Sequence, residues 1–286
     1  LSTVDLKVQD DLTVTDDASV GGDLTVTGAL DVDGATTTDG ITNAGNFETD
    51  SGTIKLDGNY PTGSNNVALG DTALDDGSLS GANNTAIGNA AGSAITSGAK
   101  NTFVGSLSGD ATTTADDNTG IGVSALGANS TGASNTGVGS SALQNNTTAS
   151  NNTAVGFSAL LVNTTGNSSV AIGKSALASN TTANSNTAIG KDAIGSNTTG
   201  SSNTAVGDGA LFANTTADNN TAMGKDALVA NTTGTGNVAV GANALDANTT
   251  ASNNNAFGAS SLTANTTGSH NNAFGTLALD ACTTGQ

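Results

Sequence analysis

Cys282 and His270 have the side chains most typical of nucleophilic and general-base catalysis, and each is the only residue of its type in the chain. A cysteine nucleophile needs a base within hydrogen-bonding distance and a third group that orients the base. No column of carboxylates accompanies either residue. We therefore predict no catalytic, cofactor-binding or metal-binding residues and expect that the chain is not an enzyme. Cys282 is interpreted as a tolerated substitution and His270 as an exposed bystander.

The charge of the chain limits its partners. There are 24 acidic residues, six lysines and no arginine, which gives a net charge of −18. Nucleic-acid binders usually present clustered Arg and Lys, so nucleic acid is not an expected partner. Fifteen acidic residues lie between Asp5 and Asp76. We interpret them as a solvated surface that keeps a thin fibre soluble, with cation binding as the alternative.

The composition is unlike that of an ordinary globular domain. Aromatic residues make up 2% of the chain and charged residues 10%, while Gly, Asn, Thr, Ser and Ala dominate. Such small side chains cannot build a thick core. No apolar run is long enough to insert into a membrane. Because the sequence begins at Leu1 rather than Met, we expect it to be a piece of a longer protein.

A strict 17-residue repeat runs through residues 66–286. Its most regular position is a glycine, called here the Gly column, and the first step is 18 residues and every later step 17. The glycines are Gly70, Gly88, Gly105, Gly122, Gly139, Gly156, Gly173, Gly190, Gly207, Gly224, Gly241, Gly258 and Gly275. Gly, Asn and Thr would interrupt every turn of a helix, so the repeat predicts an all-β fold, a β-helix or β-roll solenoid with one coil per repeat.

Two apolar columns are predicted to stack inside this solenoid. One is the large residue directly before each column glycine, such as Val155 and Val206, and the other is the Leu or Ile four residues after it, such as Leu160. The residue two before the glycine is usually Ala, as in Ala154 and Ala205, and alternation places it on the opposite strand face. We expect this small-residue face to lie outside, where another β-surface could approach, and therefore predict a parallel homotrimer.

Asparagines form two further columns. The first Asn column stands four residues before the glycine, as in Asn84, and the second stands seven residues after it, as in Asn146. Stacked Asn side chains can bond from coil to coil, so a structural role is preferred over a ligand role. The Asn-Thr-Thr runs also match a glycosylation sequon, but sugars on every coil, about 5 Å apart, would clash.

The N-terminal 58 residues have a different, six-residue rhythm. Leu6-Lys7-Val8, Leu12-Thr13-Val14 and Leu24-Thr25-Val26 alternate apolar and polar residues, with Asp and Gly between the triplets. This pattern predicts a β-fibre shaft over residues 1–58. Asn59-Tyr60-Pro61-Thr62-Gly63 indicates a break, so we divide the chain at 59–65 and start the solenoid at residue 66.

The repeat resembles a known family. Asn-Thr-Ala-Val-Gly followed by Ala-Leu and Asn-Thr-Thr-Gly, as at residues 152–166, is similar to the repeats of bacteriophage tail fibre proteins. Ser169-Val170-Ala171-Ile172-Gly173 is also similar to head repeats of trimeric autotransporter adhesins. Both resemblances imply trimeric, extracellular, β-helical fibres used for attachment.

From this resemblance we expect a structural fibre of a phage tail that extends and presents a host-attachment tip, located in the virion. Its expected partners are itself, other fibre or baseplate proteins and a host surface receptor. The alternative is a surface or secreted trimeric adhesin at the bacterial cell surface. A third hypothesis is ice binding by Thr columns such as Thr165, Thr182 and Thr199, although adjacent threonines do not share one strand face.

Overall fold

The computed structural model describes residues 64–285. The predicted shaft at 1–58 and residues 59–63 of the predicted break lie outside this range. Each repeat forms one coil with one three-residue strand, and the 13 strands form a single parallel sheet in chain order. No helix occurs within residues 64–285. The predicted all-β solenoid with one coil per repeat is thus confirmed.

The strands are equivalent segments of successive repeats. They are β1 Val67–Leu69, β2 Thr85–Ile87, β3 Thr102–Val104, β4 Thr119–Ile121, β5 Thr136–Val138, β6 Thr153–Val155, β7 Val170–Ile172, β8 Thr187–Ile189, β9 Thr204–Val206, β10 Thr221–Met223, β11 Val238–Val240, β12 Asn255–Phe257 and β13 Asn272–Phe274. Each residue pairs with its repeat equivalent, as Ala205 does with Ala222. The 18-residue first step keeps this register, because Leu69 still pairs with Ile87. The additional residue is therefore accommodated outside the strands.

The Gly column turns the chain at the end of each strand. Gly156 has φ = 136°, a conformation that other residues rarely adopt. A Cβ atom there would lie 2.6 Å from the backbone oxygen of Gly173 on the next coil. The glycine is thus required both by its own backbone conformation and by the close approach of successive coils.

The turn after the glycine points a leucine into the solenoid. Ser158 and Leu160 have φ values of 55° and 50°, in the left-handed region, with Ala159 between them. A left-handed conformation costs about 1–2 kcal/mol for a residue with a Cβ. Complete burial of Leu160 offsets this cost, since burying a leucine side chain contributes about 1.5–3 kcal/mol. The predicted interior position of the Leu column is confirmed, except at the last coil, where Leu279 is half exposed.

The strand faces are the reverse of those expected. Ala154 and Ala205 in the middle of their strands are completely buried, whereas Val155 and Val206 lie on the outer face and are only partly buried. The prediction that the residue before the glycine is interior was wrong, and so was the prediction of an outer alanine face. The physical reason is the narrow interior of the coil. A 17-residue coil has room for a leucine side chain from the turn and only for an alanine side chain from the strand.

One local exchange follows from this narrow interior. Gly92 and Gly109 stand where the other coils have the buried leucine, and between them Phe103 replaces the strand alanine. Phe103 is completely buried. A Cβ atom on Gly109 would lie 2.3 Å from the Phe103 ring. One aromatic ring thus fills the volume that the missing leucine side chains leave.

Candidate functional surfaces

The first Asn column forms a continuous hydrogen-bonded ladder. In a typical coil the side-chain oxygen of Asn135 accepts a hydrogen bond from the backbone amide of Asn152, at 3.0 Å. The Asn135 amide group donates to the backbone oxygen of Ala149 at 2.8 Å. Both asparagines are completely buried, so these contacts satisfy polar groups that water cannot reach. Ser169 interrupts the column, and its hydroxyl replaces the amide oxygen as acceptor for Asn186 at 3.2 Å.

The second Asn column forms a ladder from side chain to side chain. The Asn146 amide group donates to the side-chain oxygen of Asn129 at 2.8 Å and to the Ala149 backbone oxygen at 2.9 Å. The predicted coil-to-coil bonding of both columns is confirmed. Since these amides are buried and bonded within the coils, they are unable to reach a ligand. Asn163, a sequon asparagine of this column, is likewise completely buried in the folded chain.

Cys282 and His270 do not form a reactive pair. Cys282 takes the next position of the second Asn column, as predicted, and the side-chain oxygen of Asn265 below it consequently has no partner. His270 is exposed, and its ring nitrogen Nε2 lies 3.5 Å from the side-chain nitrogen of Asn253. No hydrogen bond joins Cys282 and His270. Within residues 64–285, no group of three His, Cys, Asp or Glu side chains is arranged to hold a metal ion.

The outward residues before the column glycines form an apolar row, called here the outer row. Its members are Leu69, Ile87, Val104, Ile121, Val138, Val155, Ile172, Ile189, Val206, Met223, Val240, Phe257 and Phe274. Ile121 is 40% exposed and Met223 43% exposed, and at the end of the row the Phe257 and Phe274 rings stack with centroids 5.0 Å apart. The outer row is thus an apolar stripe of 13 successive coils, which monomeric proteins rarely expose. Sequence reasoning placed these residues inside and missed the stripe.

Charged side chains border the outer row along part of its length. Lys174, Lys191, Asp208 and Lys225 follow four consecutive column glycines. Lys191 is 2.8 Å from Asp192 and 3.9 Å from Asp208. The hydrogen bond to Asp192 raises the pKa of Lys191 above its usual value. The positive and negative charges of these exposed side chains nearly cancel, and exposed ion pairs of this kind contribute little to stability.

The two threonines of each Asn-Thr-Thr run have different surroundings. The Thr164 hydroxyl donates to the backbone oxygen of Thr181 on the next coil, at 3.0 Å. Thr165, like Thr182 and Thr199, is exposed. Neither threonine of the pair belongs to a strand. The exposed threonines therefore form a single column at a turn rather than two columns on a flat sheet.

A shallow notch interrupts the regular surface formed by the turns that follow the column glycines. Its volume is about 350 Å³, and its lining includes Leu107, Asp110, Ser124, Gln144 and Asn145. Burial raises the pKa of the Asp110 carboxyl above its usual value, against the opposing effect of nearby backbone amides. The notch therefore combines one partly desolvated carboxyl with uncharged polar groups.

Comparison of this chain with protein-family models, with curated protein sequences and with solved structures finds no match. Among residues 64–285 there is also no helix with the length and apolar character needed to cross a bilayer. Three features of the structure bear on function, namely the repeat itself, the outer row and the notch.

Proposed function

We propose that this chain is a structural fibre segment of a phage tail, that it assembles as a parallel homotrimer along its outer row, and that it extends and presents an attachment tip. The observation that carries the proposal is the uninterrupted coil register. All 13 strands pair with their equivalents, so that stacking at about 4.8 Å per coil gives a rod of nearly 60 Å from one sheet alone. A rod that lengthens with each repeat is suited to holding an attachment tip at a distance. Its buried polar groups form hydrogen bonds within the coils.

A second copy of the chain is the occupant that best fits the outer row. An apolar stripe whose side chains recur every coil is covered along its whole length only by a surface with the same spacing, and another copy has that spacing. If each of the 13 side chains leaves on the order of 50 Å² exposed, the stripe offers about 650 Å² per copy, near the roughly 800 Å² per partner of a standard interface. The first residue of most strands is a threonine, such as Thr153 and Thr187, and it lies on the same strand face as the outer row, which widens the apolar face.

The oligomeric state tests the assembly. Light scattering on the purified chain should give three times the mass of one chain, 27.2 kDa. Replacing Ile172 and Ile189 by Asp should dissociate the assembly while circular dichroism stays unchanged, because both side chains point outward. The matched control replaces the exposed Thr165 and Thr182 by Asp, and should leave the mass unchanged. A wild-type chain that is a stable monomer would exclude the homotrimer.

The same rod would also serve in a bacterial surface adhesin, which remains the alternative. Imaging of the native particle distinguishes the two, since antibodies against the solenoid should label the fibres of a virion in one case and the cell envelope in the other. Labelling of the envelope of uninfected cells would contradict the phage assignment and leave the rod itself unaffected.

A further inference from the structure

Gly127 is a glycine that the solenoid backbone does not require. Gly127 lies five residues after its column glycine, at a position where other coils carry Gln144, Leu161 and Val229. Its φ is not in the left-handed region, and a Cβ atom there would approach no atom closer than 3.3 Å. A side chain is thus compatible with the backbone at this position, in contrast to the Gly column.

The absence of a side chain at Gly127 opens the notch. Coil pairing places Gly127 between Asp110 on the preceding coil and Gln144 on the next, since the Ala111 amide donates to the Gly127 oxygen at 3.1 Å and the Ala128 amide to the Gln144 oxygen at 2.7 Å. A Cβ atom on Gly127 would lie 3.4 Å from a carboxylate oxygen of Asp110. The carboxylate therefore borders the open space directly.

Gly195, in the same column, is a useful comparison. A Cβ atom there would lie 3.0 Å from the Phe212 ring, which covers the glycine from the next coil. Packing thus accounts for Gly195, whereas the side chains around Gly127 leave the space open. The Gln144 and Asn145 side chains make no hydrogen bonds to other described residues, so their amide groups are available to a ligand.

We propose that the notch at Gly127 binds a neutral sugar residue. Its cavity of about 350 Å³ accommodates a single pyranose ring. A carboxylate and two primary amides provide paired donors and acceptors that suit neighbouring hydroxyl groups. Leu107, which is 41% exposed, provides an apolar wall for the C–H face of the ring. Asp110 and the net charge of −18 disfavour sialic acids and sulfated sugars.

This inference rests on the proposed attachment function, to which it adds a ligand class on the side of the fibre. Binding is nevertheless measurable whatever the oligomeric state. The probes are the methyl glycosides of glucose, galactose, mannose and N-acetylglucosamine, examined by saturation-transfer NMR and titrated at millimolar concentration. At least one should bind the wild-type chain, with a dissociation constant in the millimolar range that is typical of a shallow, open site.

Gly127→Gln fills the notch with the side chain that the next coil has at this position, and should weaken binding at least tenfold. Asp110→Asn keeps the shape and should weaken it severalfold. Ala178→Gln is the matched control, since it adds the same side chain to the same column outside the notch, and should bind like wild type. If no glycoside binds the wild-type chain, or if binding survives both notch substitutions in chains with unchanged circular dichroism, the proposal is wrong. A monomeric chain that binds a glycoside would contradict the trimer and leave the sugar site supported.

Discussion

The side-chain amides of Asn135 and Asn146 donate to the same acceptor, the backbone oxygen of Ala149, at 2.8 and 2.9 Å. The two asparagines belong to different ladders, so this carbonyl links the ladders within one coil. In the neighbouring coil the Gly166 oxygen has the same role, accepting from Asn152 and Asn163. A carbonyl with two lone pairs can accept both bonds, and the arrangement satisfies the polar half of an interior whose other half is Ala and Leu.

The two ladders should respond differently to substitution. Asn135→Ala leaves the buried backbone amide of Asn152 without its acceptor, and we expect it to cost about 2–3 kcal/mol of unfolding free energy. Asn146→Ala should cost about 1–2 kcal/mol, because Asn163 keeps its bond to the Gly166 oxygen. Denaturant unfolding measures both values. The exposed Asn145→Ala is the control and should change stability by less than about 0.5 kcal/mol. If Asn135→Ala and Asn146→Ala cost as little as Asn145→Ala, the ladders do not stabilise the fold.

Adjacent residues of one strand should have separable effects. Ala205→Asp places a carboxylate in a fully buried column without a partner, and should prevent folding of the surrounding coils. Val206→Asp, one residue further on, points outward, so the chain should keep its circular dichroism while self-association weakens. Its thermal transition should stay cooperative and shift only by the stabilisation that assembly contributes. The measurements are circular dichroism and sedimentation velocity on both variants. A folded, self-associating Ala205→Asp chain would contradict the described strand faces.

The exchange around Phe103 predicts a compensating pair of substitutions. Phe103→Ala should cost about 3–5 kcal/mol by leaving a cavity. Gly109→Leu alone should also destabilise, because its side chain would overlap the Phe103 ring. Both together restore Ala at 103 and Leu at 109, as in the regular coils, and should recover part of the loss, since Gly92 on the preceding coil still lacks its leucine. The backbone allows this, since Gly109 has φ = 58° and the equivalent Leu126 has φ = 55°.

Thermal or denaturant unfolding of the four chains gives the coupling free energy between positions 103 and 109. Additive destabilisation in the double variant would mean that the two side chains do not share one volume. Ala86→Val, one coil earlier on the same inner column, is a control for general overpacking and should not be rescued by Gly109→Leu.

The repeat predicted much of the fold, and the same exchange shows why it did not predict the strand faces. Period, strand position, the Leu column and both Asn ladders follow from residues that recur every 17 positions. Alternation alone states only that Ala205 and Val206 face opposite sides, and the larger residue was placed inside by hydrophobicity. The sequence does contain a signal for the strand faces. Leucine is lost at Gly92 and Gly109, and a large residue is gained at Phe103. Such volume changes compensate only among residues that share the interior, so the column of Phe103 and Ala205 must face inward.

The candidate surfaces were less predictable than the fold. The outer row depends on the strand faces and was therefore missed with them. The notch depends on how coils stack, since Asp110 and Gln144 are 34 residues apart and meet across Gly127 only when the coils are in register. The 17-residue period places them in one column, but whether this column faces the solvent is decided by the turn.

The repeat should also behave as a unit of length. Deleting residues 174–190 removes one whole period and joins Gly173 to Lys191, which keeps the Gly column, the Leu column and both Asn ladders in register. Stability in a solenoid is approximately a sum of nearest-neighbour terms, so that the loss of one internal coil should be tolerated. Small-angle scattering should show a rod shortened by about 4.8 Å, with unchanged cross-section. Deleting only residues 174–181 should instead place polar residues against the buried Ala and Leu columns and unfold the adjacent coils. If both deletions give the same circular dichroism and the same length, register does not hold the chain together, and the rod that the fibre proposal requires does not exist.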